Sequence, residues 1–143
     1  MKINKNYIMT AFSRIGKVST LLLTTMLLMS FTTFANPFDQ VVKALEKGKV
    51  EALAPYFDSM IEISVGGKNN SYSKSQASVI LKSFFVKNNV VRFKVIHKGT
   101  SKDGAHFGIG KMTTTNGTYR VTFFFRQKGG SVVLQELRFK KDT

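Results

Sequence analysis

Between Val90 and Phe139 the chain reads VVRFKVIHKGTSKDGAHFGIGKMTTTNGTYRVTFFFRQKGGSVVLQELRF. Apolar and polar residues alternate there with a period of two, which is typical of strands that bury one face. Turn-forming sequences interrupt the alternation at Lys102–Gly104, Asn116–Gly117 and Gly129–Gly130. The stretch therefore predicts four strands, at residues 90–98, 105–115, 118–128 and 131–139, and their short connections predict antiparallel neighbours.

The same alternation divides the predicted sheet into an apolar and a basic face. In the third strand one side is apolar from Tyr119 to Phe125, while the other carries Arg120 and Arg126. In the first strand the apolar face is predicted to hold Val91, Phe93, Val95 and His97. One face should therefore pack against helices, and the opposite face should be basic and exposed.

Helices are predicted ahead of this sheet. Residues Pro37–Lys47 place apolar side chains at helical spacing and end at Gly48, and residues 50–57 form a shorter helix that Pro55 interrupts. A half-buried strand is predicted at 59–65, followed by turn residues Gly66–Gly67 and Asn69–Asn70.

A further helix has the clearest start signal in the chain. Ser73 with Gln76 three positions later predicts a capping box, in which each side chain satisfies a backbone N–H of the other residue. A helix should therefore begin near Lys74 and end at Asn88–Asn89. The apolar side chains on one face of it are Ala77, Ile80, Leu81, Phe84 and Phe85. The fold class that follows is α+β.

The first 35 residues are predicted to be a secretory signal peptide. A positive region without acidic residues comes first, formed by Lys2, Lys5, Arg14 and Lys17. An apolar run follows, and Thr33 and Ala35 supply the small residues before a predicted cut between Ala35 and Asn36. The alternative is an uncleaved anchor, because the run approaches the lower length limit of a spanning helix. We expect an exported protein, periplasmic or extracellular, with one domain at 36–143 and no membrane span after signal removal.

Charge and cysteine content narrow the classes of partner and chemistry. The chain has 22 basic and 8 acidic residues, and without the four basic residues of the presequence its net charge falls from +14 to +10. Such a charge favours anionic partners, whether nucleic acid, lipid head groups or acidic polysaccharide, although export counts against nucleic acid. The absence of cysteine excludes disulfides, thiol catalysis and thiolate metal sites.

The order of helices and strands resembles that of the nuclear transport factor 2-like, or cystatin-like, folds. The chain also resembles a family of uncharacterised exported bacteroidete proteins with a domain of unknown function, in the segments 72–77, 84–85, 97–99 and 107–120. The resemblance implies a strongly curved antiparallel sheet of four to six strands, wrapped on two or three helices around a cone-shaped pocket. It carries over no catalytic residues.

Four side chains are candidates for lining such a pocket: Tyr56, Tyr72, His97 and Tyr119. His97 could act as a general acid or base, since imidazole titrates near neutral pH, or could close the edge of the core. The tyrosines could supply hydroxyls or pack at the rim. The acidic residues fall on helix surfaces, turns and polar strand faces, so no catalytic residue is assigned. No metal site or cofactor is predicted, because neither histidine has a carboxylate at ligand-like spacing.

The basic face is the second candidate surface, and its predicted members are Arg92, Lys94, Arg120, Arg126 and Arg138. With Ile96 and Phe124 among them, these side chains suit a protein interface or an anionic polymer. The alternative is a solvated face that only aids solubility.

The sequence favours a non-enzymatic exported binding module. It would hold a small apolar ligand in the cone pocket, or a protein or anionic partner of the envelope on the basic face. The formation of a homodimer through the sheet remains an open alternative. The alternative is a small pocket enzyme of isomerase or hydrolase type that uses His97.

Overall fold

The computed structural model describes residues 36–102 and 104–143, so the predicted signal peptide and its cleavage at Ala35 lie outside the described residues. The helices are α1 (Pro37–Lys47), α2 (Val50–Leu53) with a following 3₁₀ turn (Ala54–Tyr56), and α3 (Lys74–Lys87). The strands are β1 (Phe57–Val65), β2 (Lys68–Ser73), β3 (Val90–Thr100), β4 (His106–Thr114), β5 (Gly117–Lys128) and β6 (Ser131–Lys141). This is the predicted α+β class.

The six strands form one curved sheet in the order β2-β1-β6-β5-β4-β3. All neighbouring strands are antiparallel except β1 and β6, which run parallel. The four predicted C-terminal strands and their antiparallel order are confirmed. The prediction of a turn at Asn69–Asn70 is wrong, because both residues pair with β1 as part of β2 and only Gly66–Gly67 makes the turn. This edge strand is polar throughout its middle, so it gave no apolar alternation.

Both long helices begin and end where their capping residues predict. The Asn36 side chain accepts a hydrogen bond from the Phe38 N–H at 3.0 Å, and Gly48 ends α1 in the left-handed conformation with φ 59°. At α3 the capping box is present: the Gln76 N–H donates to Ser73 Oγ, and the Ser73 N–H donates to Gln76 Oε1. These caps satisfy backbone donors that the first turn of a helix leaves unpaired.

Phenylalanine rings fill the space between the helices and the inner face of the sheet. The buried rings are Phe57, Phe84, Phe85, Phe93, Phe123, Phe125 and Phe139. Two glycines of β4 make room for them: a Cβ at Gly108 would lie 2.3 Å from Phe123 Cζ, and a Cβ at Gly110 would lie 2.4 Å from the Phe93 ring. The centre of the cone is therefore a packed core.

Two β-bulges in β3 change which face its side chains occupy. Val95 is opposite Gly110, whereas His97 is opposite Ile109, so Ile96 is an extra residue without a partner. A similar shift isolates Val91. Because side chains alternate in a strand, one extra residue moves every later side chain to the other face. The predicted inward orientation of Val91 and His97 is therefore wrong: Val91 is 68% exposed and His97 lies on the outer face.

Candidate functional site

A cleft of about 460 Å³ lies between the start of α1 and the inner face of the sheet, where β3, β4, β5 and β6 meet the rim. Phe38 and Phe125 form its apolar wall, with ring centroids 5.9 Å apart, and Val132 adds to it. Phe125 and Val132 project inward because each pairs with an inward-facing register position of the neighbouring strand. The cleft is therefore the part of the cone mouth that the phenylalanine core leaves open.

The polar groups of the cleft come from two sides. Lys98, Thr100 and His106 lie on the strand side, and Asn36 and Asp39 lie on the α1 side. Thr100 Oγ1 and His106 Nδ1 are 3.1 Å apart and hydrogen bonded, which orients the imidazole at the rim. The cationic and hydrogen-bonding groups of the strand side therefore face the carboxylate of Asp39 across the apolar wall of the cleft.

The bulge at Ile96 places Lys98 in this cleft. After the bulge Lys98 is opposite Gly108, an inward-facing position of β4, and its Nζ lies 6.0 Å from the centroid of the Phe38 ring. An ammonium over an aromatic face is weakly attracted to it. A regular period of two predicts that His97 faces the pocket, whereas the bulge places His97 on the outer face and Lys98 in the cleft.

The four predicted pocket residues do not come together. Tyr119 is buried, and its hydroxyl donates to Asn88 Oδ1 at 3.0 Å. Tyr72 lies at the edge strand β2, where its hydroxyl accepts a hydrogen bond from Asn70 Nδ2. Tyr56 is half-buried in the 3₁₀ turn and packs against the core. None of these residues lines the cleft.

His97 contacts an aromatic neighbour on the outer face. Its ring lies 5.7 Å from Phe107, which in turn lies 5.8 Å from Phe124. The histidine that does line the cleft is His106, which is exposed at the rim.

The predicted basic residues are all exposed on the outer face of the sheet. Lys94 and Arg120 are each opposite Lys111, a residue that was not singled out from the sequence. Arg138 on β6 is opposite Thr122, two residues along β5 from Arg120, and forms an ion pair with Glu136. Including Lys111 in the basic face from the sequence would have required knowing which residues pair across neighbouring strands.

One carboxylate of the described residues is buried and has a displaced pKa. Asp58 Oδ1 accepts hydrogen bonds from Lys128 Nζ at 2.8 Å, from the Ser59 N–H at 2.6 Å and from Ser59 Oγ at 3.1 Å. The Lys128 hydrogen bond, with those from Ser59, lowers the pKa of Asp58 below its ordinary value although burial opposes this. The Asp58 carboxylate is therefore occupied by Lys128 and Ser59 at the start of β1 and is not part of the cleft.

We expect Asp58→Asn to destabilise the domain by about 1–2 kcal/mol at pH 6, because three donors lose a charged acceptor. A lowered pKa means that the ionised carboxyl stabilises the fold above about pH 4 and that this contribution is lost as pH falls below it. The difference between the wild type and the variant should therefore shrink from pH 5 to pH 3 in urea denaturation. Glu62→Gln, at an exposed carboxylate, is the control and should show no such convergence.

Within residues 36–102 and 104–143, no group of three or more histidines and carboxylates lies close enough to hold a metal ion. No helix in the same described part of the chain is long and apolar enough to cross a membrane.

The fold is that of the nuclear transport factor 2-like proteins. A protein of that description and unknown function from Silicibacter pomeroyi is 10% identical with a TM-score of 0.51, covering 74% of this chain and 90% of that chain. A designed protein with a curved β-sheet is 13% identical with a TM-score of 0.58, covering 71% and 93%. At these identities the similarity defines the fold alone.

The chain belongs to the family described as domain of unknown function DUF4783, whose sequence pattern matches residues 38–140. A family member from Bacteroides uniformis is 28% identical with a TM-score of 0.69, covering 73% of this chain and 96% of that chain. Another from Bacteroides fragilis is 30% identical with a TM-score of 0.68, covering 72% and 96%. No curated protein matches the chain. The resemblance inferred from the sequence is thereby confirmed.

Proposed function

We propose that residues 36–143 form an exported, non-enzymatic binding module that holds a small amphipathic ligand in the cleft between α1 and the sheet. The observation that carries this proposal is the cleft itself: about 460 Å³, with an apolar wall and a cation above it. Ligand sites for small molecules are typically cavities of roughly 300–1,000 Å³ with a few converging polar groups.

The lining of the cleft specifies the chemistry of the ligand. Phe38, Phe125 and Val132 would contact an apolar body, and burial of that surface would supply most of the affinity. Lys98 and His106 would donate to an anionic head group, which Asp39 on the opposite wall would keep on the strand side. A compact aromatic or aliphatic carboxylate or sulfonate fits both requirements.

The positions of the titratable groups support binding rather than catalysis. The enzyme alternative needed His97 in the pocket, and His97 lies on the outer face. The buried carboxylate, Asp58, is occupied by Lys128 and Ser59. Of the described cleft residues, Lys98, His106 and Asp39 are all exposed, so none has the desolvated setting that tunes a general acid or base.

Export is supported by the sequence and is consistent with the extent of the family. The positive and apolar segments precede Asn36, and the family pattern begins at residue 38. These observations agree with a targeting segment followed by a mature domain.

A fluorescent pair of probes tests the cleft. Anilinonaphthalene sulfonate combines an apolar body with an anionic head, and phenylnaphthylamine has the same kind of body without the charge. We expect the mature domain to bind the sulfonate at one site, and Lys98→Gln to weaken that binding about five- to tenfold because a charged hydrogen bond is lost. Binding of the neutral probe should be unchanged. Val132→Trp should weaken both probes by occupying the apolar wall.

The matched control is Lys43→Gln, which removes the same charge from an exposed position of α1 outside the cleft. The cleft would be refuted as the site if Lys43→Gln and Lys98→Gln weakened binding equally. It would also be refuted if Val132→Trp left the binding of both probes unchanged.

A separate measurement tests export. The protein should be purified from the periplasm after expression with its own leader. An intact mass that begins at Asn36 supports export with the predicted cleavage, and a mass that includes the leader contradicts it.

A further inference from the structure

Four cations lie directly opposite one another on the outer face of the sheet. Lys94 on β3 pairs with Lys111 on β4, Lys111 pairs with Arg120 on β5, and Arg120 pairs with Lys140 on β6. We call these four residues the cation row. Since neighbouring strands are about 4.8 Å apart, the row crosses roughly 14 Å of the sheet.

The cation row is electrostatically unfavourable for the free domain. All four side chains are exposed, and among the described residues none of them forms an ion pair with a carboxylate. Like charges directly opposite each other on adjacent strands destabilise a sheet. A face that only promotes solubility needs charges that are dispersed, so four adjacent cations indicate an anionic partner.

Two carboxylates of the strands on this face are placed away from the cation row, whereas Asp142 follows Lys140 by two residues and its backbone N–H donates to the Thr118 carbonyl. Glu62 on β1 is opposite Glu136 on β6, and Glu136 forms its ion pair with Arg138 rather than with a residue of the row. The carboxylates of Glu62 and Glu136 are therefore separate from the cation row. Arg92 and Arg138 add one cation to each flanking row, so the positive surface is centred on the cation row and is longest across the strands.

The neighbours of the cation row narrow the class of polyanion. One flanking row contains Thr113 opposite Thr118, and the other contains Ile109 opposite Thr122. No phenylalanine or tyrosine stands in either flanking pair. The outer-face rings of Phe107 and Phe124 form a pair two same-face positions away from the row, so no ring is adjacent to the cations for the stacking that single-stranded nucleic acid uses. Ile109 is the one apolar side chain of the two flanking pairs, which is little apolar surface beside the row for insertion into a lipid interface. Three hydroxyl groups are suited to hydrogen bonds with a hydroxyl-rich polymer.

We propose that the cation row binds an acidic polysaccharide that lies across the strands, with successive carboxylate or sulfate groups at successive cations. Arg120 would form bidentate hydrogen bonds with a carboxylate, and the three lysines would act as point charges along the polymer. Thr113, Thr118 and Thr122 would hydrogen-bond to the sugar hydroxyls. This site is on the opposite face of the sheet from the cleft and does not depend on the function proposed for it.

The test compares two double variants with the same net charge. Lys111→Gln/Arg120→Gln removes the centre of the cation row, and Lys43→Gln/Lys68→Gln removes two exposed lysines elsewhere. Binding of the mature domain to polygalacturonate is measured over a range of salt concentrations. We expect the row variant to bind about tenfold more weakly at low salt, with a salt dependence reduced by about two charges, and the control variant to bind nearly as the wild type does.

The stability of the variants separates binding from folding. Removing the two central cations should leave thermal stability at low salt unchanged or slightly raised, because the repulsion within the row is relieved. Equal weakening by the control variant would show that net charge alone drives binding, and absence of binding by the wild type would refute the site. Tighter binding of single-stranded oligothymidine or of phosphatidylglycerol vesicles, with the same dependence on Lys111 and Arg120, would overturn the assignment to a polysaccharide.

Discussion

Replacing Phe123 by alanine is expected to lower the free energy of unfolding by about 3–5 kcal/mol, as for other fully buried phenylalanines. Its side chain is fully buried and lies between α1 and the sheet, with ring centroids 5.3 Å from Phe38 and 5.8 Å from Phe125. The core can collapse only partly into the vacated space, because Gly108 beneath the ring has no side chain to move in. A domain of this size has a total stability of about 5–15 kcal/mol, so the variant should be close to the unfolding threshold.

The neighbouring residue provides a matched control for this prediction. Phe124 is half-buried on the outer face and contacts Phe107 rather than the core. Phe124→Ala should cost about 1 kcal/mol, the order of one aromatic pair on a sheet surface. Urea denaturation followed by far-ultraviolet circular dichroism measures both variants, since the chain has no tryptophan. Equal losses for the two variants would show that the inward and outward faces of β5 have been assigned incorrectly.

The second large effect is expected from adding one methyl group. Gly108→Ala would place a Cβ 2.3 Å from Phe123 Cζ and 2.6 Å from Cε2 of the same ring, well inside van der Waals contact. The ring is fully buried and has little room to withdraw. We expect a loss of about 1–3 kcal/mol, typical of overpacking, although replacing glycine by alanine in an unstrained strand is usually stabilising.

A double-mutant cycle identifies the origin of that loss. In the Phe123→Leu background the added methyl group should cost at least 1 kcal/mol less, because a leucine side chain ends short of the position of Cζ. Thr113→Ala, at an outward position of the same strand, serves as the control and should have a small effect. A stabilising Gly108→Ala, or a loss that is unchanged in the Phe123→Leu background, would contradict the close contact between β4 and the ring.

The accuracy of the sequence analysis differed between elements for physical reasons. Strand β4 was predicted as a strand and β5 with the correct faces, because in β5 an apolar side chain alternates with a polar one and turns end the strand. The capping box at Ser73 was equally local and was also found. Strand β2 was missed because its pairing with β1 depends on backbone hydrogen bonds and not on apolar side chains.

The candidate site was harder to predict, because it depends on register. Nothing in the alternating pattern around Ile96 distinguishes a regular strand from a bulged one, yet the bulge decides whether Lys98 or His97 faces the cleft. The cation row presents a similar difficulty. Lys94 and Arg120 are 26 positions apart in the chain, and only the pairing of both with Lys111 shows that they belong to one surface.

The two bulges of β3 also bear on how the sheet ends. Strand β3 is the last strand on its side, so one row of its backbone N–H and C=O groups has no partner strand among the described residues. Unprotected edges of this kind recruit strands from other molecules and lead to aggregation. With extra residues at Val91 and Ile96, the edge offers only a short regular segment between two kinks, and Lys94 lies in the middle of it. The bulge at Ile96, which places Lys98 in the cleft, therefore also hinders the pairing of a further strand with β3.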